Sequence, residues 1–151
     1  MSLIQESVKA TGALSIQLIG FDGQVKKDLL IPNLVVTTGK NYIAERMKET
    51  GRPSEMSHMS VGTNNTAALV ADSTLGTEIG RVALATAGGV VSNNVVTYNA
   101  TFLPGTGTGA ITEAGIFNAN TSGTMLCRTV FAVVNKGADD TMSITWTVTI
   151  S

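Results

Sequence analysis

Few residues in this chain have the chemistry to act as a catalyst or a metal ligand, and they are scattered. His58 is the only histidine and Cys127 the only cysteine. A zinc site needs three or four ligands, and neither residue has a second of its kind to help. A Ser-His-Asp or Cys-His device would have to be assembled around His58 alone. That residue lies in Met56-Ser-His-Met-Ser60, where alternation places it on a strand without a nucleophile elbow nearby. His58 therefore reads as structural or surface, and Cys127, between Leu126 and Arg128, reads as a small buried thiol. The run Pro104-Gly-Thr-Gly-Thr-Gly109 has the glycines of a phosphate-binding loop but no lysine and no helix to follow, so it is expected to be a hairpin loop. Asp139-Asp140 lacks the oxygen-ligand spacing of a calcium loop, and a turn after Lys136-Gly137 is expected there. Three glycosylation sequons, at Asn64, Asn99 and Asn120, carry no weight without a secretory signal.

Glu113 stands apart because Ile111-Thr-Glu-Ala-Gly-Ile-Phe-Asn118 reads as a strong strand. A glycosidase would need a second carboxylate at a defined separation, and nothing nominates one. The structural expectation is that Glu113 accepts hydrogen bonds from a turn or pairs with Arg128 or Arg81. No catalytic residue, metal ligand or cofactor site is assigned.

The elements that must position these groups show a hydrophobic period of two from about residue 14 onward. Met142, Ile144, Trp146, Val148 and Ile150 alternate with Ser143, Thr145, Thr147 and Thr149, the pattern of a half-buried strand. Val96, Tyr98, Ala100 and Phe102 repeat it. Turn signals recur at Asp22-Gly23, Gly88-Gly89, Pro104-Gly105, Ser122-Gly123 and Lys136-Gly137. The expected class is all-β, an antiparallel β-sandwich or jelly roll. If Asp22-Gly23 forms a two-residue turn, Phe21 faces Gln24, Leu18 faces Lys27 and Leu14 faces Ile31. Leu14, Ile16, Leu18, Val25, Leu29 and Ile31 then point inward, with Lys27 as an inward charge on a protected edge. Ile19, Phe21 and Leu30 point outward. One segment breaks the period. Thr38 to Gly51 predicts a short amphipathic helix over about 39–50, with Thr38 as cap and Ile43 and Met47 sharing its apolar face. Thr63 to Ser73 reads as a loop with one helical turn at Ala67 to Val70. Residues 1–12 read as an N-terminal arm, and 13–151 as one domain.

Composition narrows the partners. Charged residues are 14% of the 151, against a usual share of about 25%, and the net charge is -1. Nucleic-acid binding needs a basic footprint that this chain lacks. No stretch approaches the roughly 18 apolar residues of a membrane-spanning helix, and the N-terminus lacks the pattern of a secretory signal. So little charge on so apolar a chain is expected of a subunit that completes its surface inside an assembly.

The succession Leu34-Val-Val-Thr-Thr-Gly-Lys-Asn-Tyr-Ile-Ala44, Met59-Ser-Val-Gly-Thr63 and Leu75-Gly-Thr-Glu-Ile-Gly-Arg81 resembles small tailed-bacteriophage virion proteins. So does the finish, through Glu113-Ala-Gly-Ile-Phe-Asn-Ala119, Gly123-Thr-Met-Leu-Cys-Arg128 and Asp139-Asp-Thr-Met-Ser-Ile-Thr-Trp146. Together these motifs span roughly residues 34 to 150. The resemblance implies a β-sandwich that contacts other virion subunits, as a capsid cement or decoration protein or as a tail, collar or baseplate component. Without a repetitive shaft, the chain fits the capsid role better. That role implies a homo-oligomer, dimer or trimer, bound across major capsid protein subunits of the phage head and assembled in the bacterial cytoplasm. Leu3 and Ile4 in the arm and Phe21 at the hairpin are the candidate partner contacts. A host glycan-binding module is a weaker alternative, because Trp146 sits on the inward face of its strand.

Overall fold

A computed structural model describes residues 6–151. The alternating segments form nine strands: β1 (Ala10–Ile19), β2 (Val25–Val35), β3 (His58–Gly62), β4 (Glu78–Ala83), β5 (Val90–Ser92), β6 (Val95–Phe102), β7 (Gly109–Phe117), β8 (Met125–Lys136) and β9 (Thr141–Ile150). Among the described residues there is one helix, α1 (Thr37–Arg46), which follows β2. All strand pairs are antiparallel, and the strands make one curled sheet in the order β4-β3-β7-β8-β2-β1-β9-β6-β5.

Curling lets the sheet bury its own inner face. Leu14, Ile16, Phe102, Ile144 and Trp146 from one half share a core with Met59, Val61, Ile116 and Val134 from the other. The period-two residues of β6 and β9 are the ones buried, as alternation requires. The Ala85 N–H donates to the Asn99 carbonyl at 2.8 Å, tying the chain beyond β4 to β6, so the two ends of the sheet meet. Tyr42 of α1 closes one opening, its hydroxyl accepting the Met56 N–H at 3.2 Å.

Several local expectations are corrected. The β1–β2 register holds from Gly12↔Asn33 to Leu18↔Lys27 and then shifts, so that Ile19 faces Val25. The reversal is a three-residue loop over Phe21, Asp22 and Gly23. Gly23 is at φ +79° and its N–H donates to the Gly20 carbonyl at 2.9 Å. One positive-φ glycine with a bulge satisfies the twist that a two-residue turn would need two such residues to meet. Beyond the bulge, Val25 turns outward and is exposed. The arm is shorter than 1–12, because Ala10, Thr11 and Gly12 pair with Ile150, Thr149 and Val148. Backbone bonds between Lys9 and Ser151 continue that ladder. Small residues at 10–13 hid the alternation. Leu3 and Ile4 lie outside the described residues.

The helix runs 37–46, not 39–50. Val36 occupies its N-cap without a side-chain bond, while the Thr38 hydroxyl donates to the Met125 carbonyl at 2.8 Å. Its buried face is Gly39 and Tyr42, and Met47, expected to be apolar-facing, is 85% exposed. Gly39 lets the helix backbone touch β8, since a Cβ there would overlap Leu126. The Pro104–Gly109 run is not a hairpin loop. It joins β6 to β7, which lie in different halves of the sheet. No helical turn forms at 67–70; the Asp72 N–H instead closes a turn on the Leu69 carbonyl at 3.0 Å.

Gly39→Ala gives a test in which two effects oppose. Helix propensity favours Ala by about 1 kcal/mol, while overpacking against a rigid strand costs about 1–3 kcal/mol. Urea unfolding is expected to show net destabilisation. A variant more stable than the parent would mean that α1 does not rest on β8.

Candidate interaction surface and its buried ionic pin

β7 carries two populations of side chain. A bulge between Ile111 and Glu113 resets the alternation, so Ala114 and Ile116 enter the core while Glu113, Gly115 and Phe117 face the other side. That outer face is roofed by the 63–77 loop, which connects β3 to β4. Leu75 descends from the loop over Gly115, where a Cβ would lie 2.9 Å from its Cδ2. With Val36, Phe117 and Met125 it forms a second apolar cluster.

Glu113 pins this roof. Its Oε1 accepts the Thr77 N–H at 2.8 Å, and its Oε2 accepts the Gly76 N–H at 3.0 Å and Arg128 Nη2 at 2.8 Å. Arg128 stands on β8 opposite Gly115. It also donates to the Thr66 carbonyl at 3.1 Å and to Asp72 Oδ2 at 2.9 Å. Asp72 Oδ2 in turn accepts the Leu69 N–H at 2.8 Å. Glu113 is fully buried and Arg128 nearly so. Such a pair persists because both carboxylate oxygens and both terminal guanidinium nitrogens take up further hydrogen bonds, with only the Arg128 Nε–H left unpaired. Glu113 thus accepts from a turn and pairs with Arg128. Arg81 goes elsewhere. It pairs with Glu78 at 2.7 Å, donates to the Ala119 and Ser122 carbonyls at 2.9 Å, and lies 3.9 Å over the Phe117 ring.

The other singled-out residues stay apart. His58 is half-buried on β3, its Nδ1 2.8 Å from Ser57 Oγ. Burial, then the nearby Arg81 charge, lowers its pKa below 6.5. Cys127 is fully buried, and burial pushes its thiol up to about 12. Asp140 closes the β8–β9 turn by accepting the Gly137 N–H at 2.8 Å and Lys26 Nζ at 2.9 Å. The Lys26 bond, then that of Gly137, lowers its carboxyl below the ordinary 3.8. Among the described residues, no three His, Cys, Asp or Glu side chains come together as a metal site would require. No helix among the described residues is long and apolar enough to cross a membrane.

What the molecule presents to solvent is apolar at many points. Phe21 is 89% exposed at the β1–β2 tip, and Leu30 is 80% exposed on the outer face of β2. Leu69 and Val70 are exposed on the pinned loop, whose Val70 carbonyl accepts the Thr37 N–H of α1 at 2.8 Å. The three-residue edge strand β5 exposes Val90 and Val91. Trp146, by contrast, is fully buried. Sequence reading identified Phe21 and Leu30. It missed Leu69 and Val70, because a loop without periodicity gives no sign of which side chains its anchors turn outward. Comparison with protein-family models, with curated proteins and with solved structures finds no match to this chain.

Removing one partner of the buried pair strands the other's charge, so Arg128→Met is expected to cost about 3–5 kcal/mol in urea unfolding. The double variant Arg128→Met with Glu113→Leu should remain well below the parent. The Gly76 and Thr77 N–H groups lose their acceptor, at about 1–3 kcal/mol each if they stay buried. A double variant as stable as the parent would show that the loop does not depend on Glu113. Asp140 supplies a pH test. Its folded-state pKa is depressed, so its contribution is present above 3.8 and disappears as the pH falls through the depressed value. Asp140→Asn should therefore lower stability at pH 7 and flatten the acid limb of the stability profile below pH 3.8. An unchanged acid limb would assign that limb to other carboxylates.

Proposed function

We propose that this chain is a non-enzymatic structural subunit of a tailed-phage virion, a capsid cement or decoration protein bound across neighbouring capsid subunits. We read its curled sheet as a sandwich of the jelly-roll kind, with inner faces meeting in one core and outer faces free for contacts. The observation that carries the reading is the exposure of large apolar side chains, Phe21, Leu30, Met47 and Leu69 among them, on a chain with only 14% charged residues. We take this exposure, on a surface with little charge to oppose association, as the mark of a chain that buries these side chains against partners. The mechanism is burial of these side chains against a partner, together with addition of an extended segment to an open strand edge. Acting as a dimer or trimer that binds only the assembled shell, the protein would stabilise that shell by linkage, as any ligand of a native state does. The pinned 63–77 loop supports the reading further, because an apolar tip held rigid loses little entropy on docking.

Quantitative mass spectrometry of purified particles tests this proposal. Many copies per head are expected, and the same loop and hairpin residues should become protected from hydrogen exchange on the particle. A few copies per particle would move the protein to a tail, collar or baseplate ring. Absence from particles would end the virion reading.

A further inference from the structure

The half of the sheet made by β2, β1, β9, β6 and β5 turns one broad face outward. Burial fixes which side chains point in: Leu14 of β1, Ile144 and Trp146 of β9, and Tyr98 and Ala100 of β6. The alternate residues therefore point out, and they stay exposed or half-buried. Two rows run straight across the strands. Ser15, Thr145 and Asn99 stand side by side, and so do Ala13, Thr147 and Thr97. Exposed apolar side chains flank these rows, Leu30 of β2 beside Ser15 and Val90 of β5 beside Thr97. No residue of β1, β9, β6 or β5 is charged, and the chain's 10 basic and 11 acidic residues all lie elsewhere. On β2, Asp28 shares the outer side beside Gln17, and Lys26 is held by Asp140 at the hairpin end. A solvated surface carries roughly a quarter to a third charged residues, whereas the centre of an interface is depleted of Lys, Glu and Asp.

We infer that this uncharged face is a homodimer interface, packed sheet on sheet against the same face of a second copy about a twofold axis along β9. β9 is the middle strand of the five, so that axis lays β1 over the second copy's β6 and β2 over its β5. Asn99 then meets Ser15 of the other copy, and Leu30 with Pro32 closes on its Val90. Polar centre meets polar centre, and apolar edge meets apolar edge. Hydroxyls suit a surface that must match itself, because each can donate and accept. Within one copy, Thr145 Oγ1 donates to Asn99 Oδ1 at 2.9 Å and Thr147 Oγ1 to the Ala13 carbonyl at 3.3 Å. The hydroxyl lone pairs and the Asn99 amide protons are left to bridge the copies. With no charge of either sign at the centre, the copies do not repel as they meet. The size also fits. Five strands about 4.8 Å apart, over an eight-residue β6–β9 register, make a face on the order of 600 Å² in projection before side-chain relief is counted. A standard interface takes about 800 Å² per partner. The other half of the sheet offers no equivalent, since the 63–77 loop roofs β7 there. The inference does not rest on the virion reading and is tested without a particle.

Sedimentation velocity on the full chain is expected to show a monomer–dimer equilibrium. Thr145 meets its own counterpart at the axis, so Thr145→Lys sets two ammonium groups against each other. It should weaken dimerisation at least tenfold while circular dichroism shows the parent's strand signal. If Thr145→Lys does not fold, Asn99→Lys, in the same exposed row, should have the same effect. Mixing Asn99→Lys chains with Ser15→Glu chains should restore association, because the axis brings those two positions together. Sheets packed face to face lie about 10 Å apart, so Thr145→Cys with a bismaleimide of about that span should link two copies. Asp22→Cys at the hairpin tip should not be linked, and Cys127 is buried out of reach. A chain that stays monomeric overturns the dimer. Association indifferent to both lysine variants moves the interface off this face. Dimers weakened by lysine but not restored by the mixture, or linked equally through position 22, overturn the axis. A monomeric chain whose attachment to particles is lost with Thr145→Lys gives the face to a shell subunit instead and overturns pairing between copies.

Discussion

The two halves of the sheet share a backbone ladder at Leu34 and Val35 of β2, opposite Arg128 and Cys127, and almost nothing else links them by strand pairing. What holds them face to face is apolar burial between them, centred on residues such as Trp146, Phe102, Ile116 and Met59. At about 25 cal/mol per Å² of apolar surface removed from water, a core of this extent outweighs two further ladder bonds many times over. The strand pairs within each half fix register, and the core fixes how the halves face. The connections obey that constraint. Residues 103–108 and 137–140 carry the chain from one half to the other in a few residues, with the Gly105 N–H bonded to the Ala138 carbonyl where the two crossings pass.

The outer face of β7 and β8 depends on a different interaction. There the loop over Glu113 and Arg128 replaces a missing second sheet, and its one deep apolar anchor is Leu75. A single leucine cannot order some fifteen residues, given roughly 1–2 kcal/mol of backbone entropy for each. The carboxylate and guanidinium add hydrogen bonds at Gly76, Thr77, Thr66 and, through Asp72, at Leu69. Stability and display are thus joined in one cluster, since the groups that fasten the loop also aim Leu69 and Val70 at solvent.

The sequence was readable where one periodicity acted alone. Residues 142–150 and 95–103 each bury one face of alternating residues, and both were identified with their inward side chains. The β1–β2 register was readable below Leu18 and failed at the tip, where a bulge and a single glycine replaced the simpler turn. Helix length failed for a related reason. The i, i+4 pair Ile43 and Met47 suggested a face, but the surface available to α1 is the β8 backbone, which admits Gly39 and nothing larger. For Glu113, strand context and the want of a second carboxylate were enough to suggest a structural anchor. Choosing Arg128 over Arg81 required the bulge at Thr112 and the register that sets Arg128 beside this face of β7, neither of which leaves a trace in residue spacing.

The pairing of Ala10 with Ile150 has a consequence for how the molecule comes into being. β1 leaves the ribosome well before its partner β9, with all the other strands between them. Until then β1 has a hairpin mate in β2 but an open edge where β9 will pair. Long-range closure of this kind is slow relative to local folding, and a waiting apolar hairpin invites capture by its neighbours on the same message. A cell making such a chain in quantity would face crowding among nascent copies, and holdase chaperones at that stage would govern yield more than the stability of the finished fold.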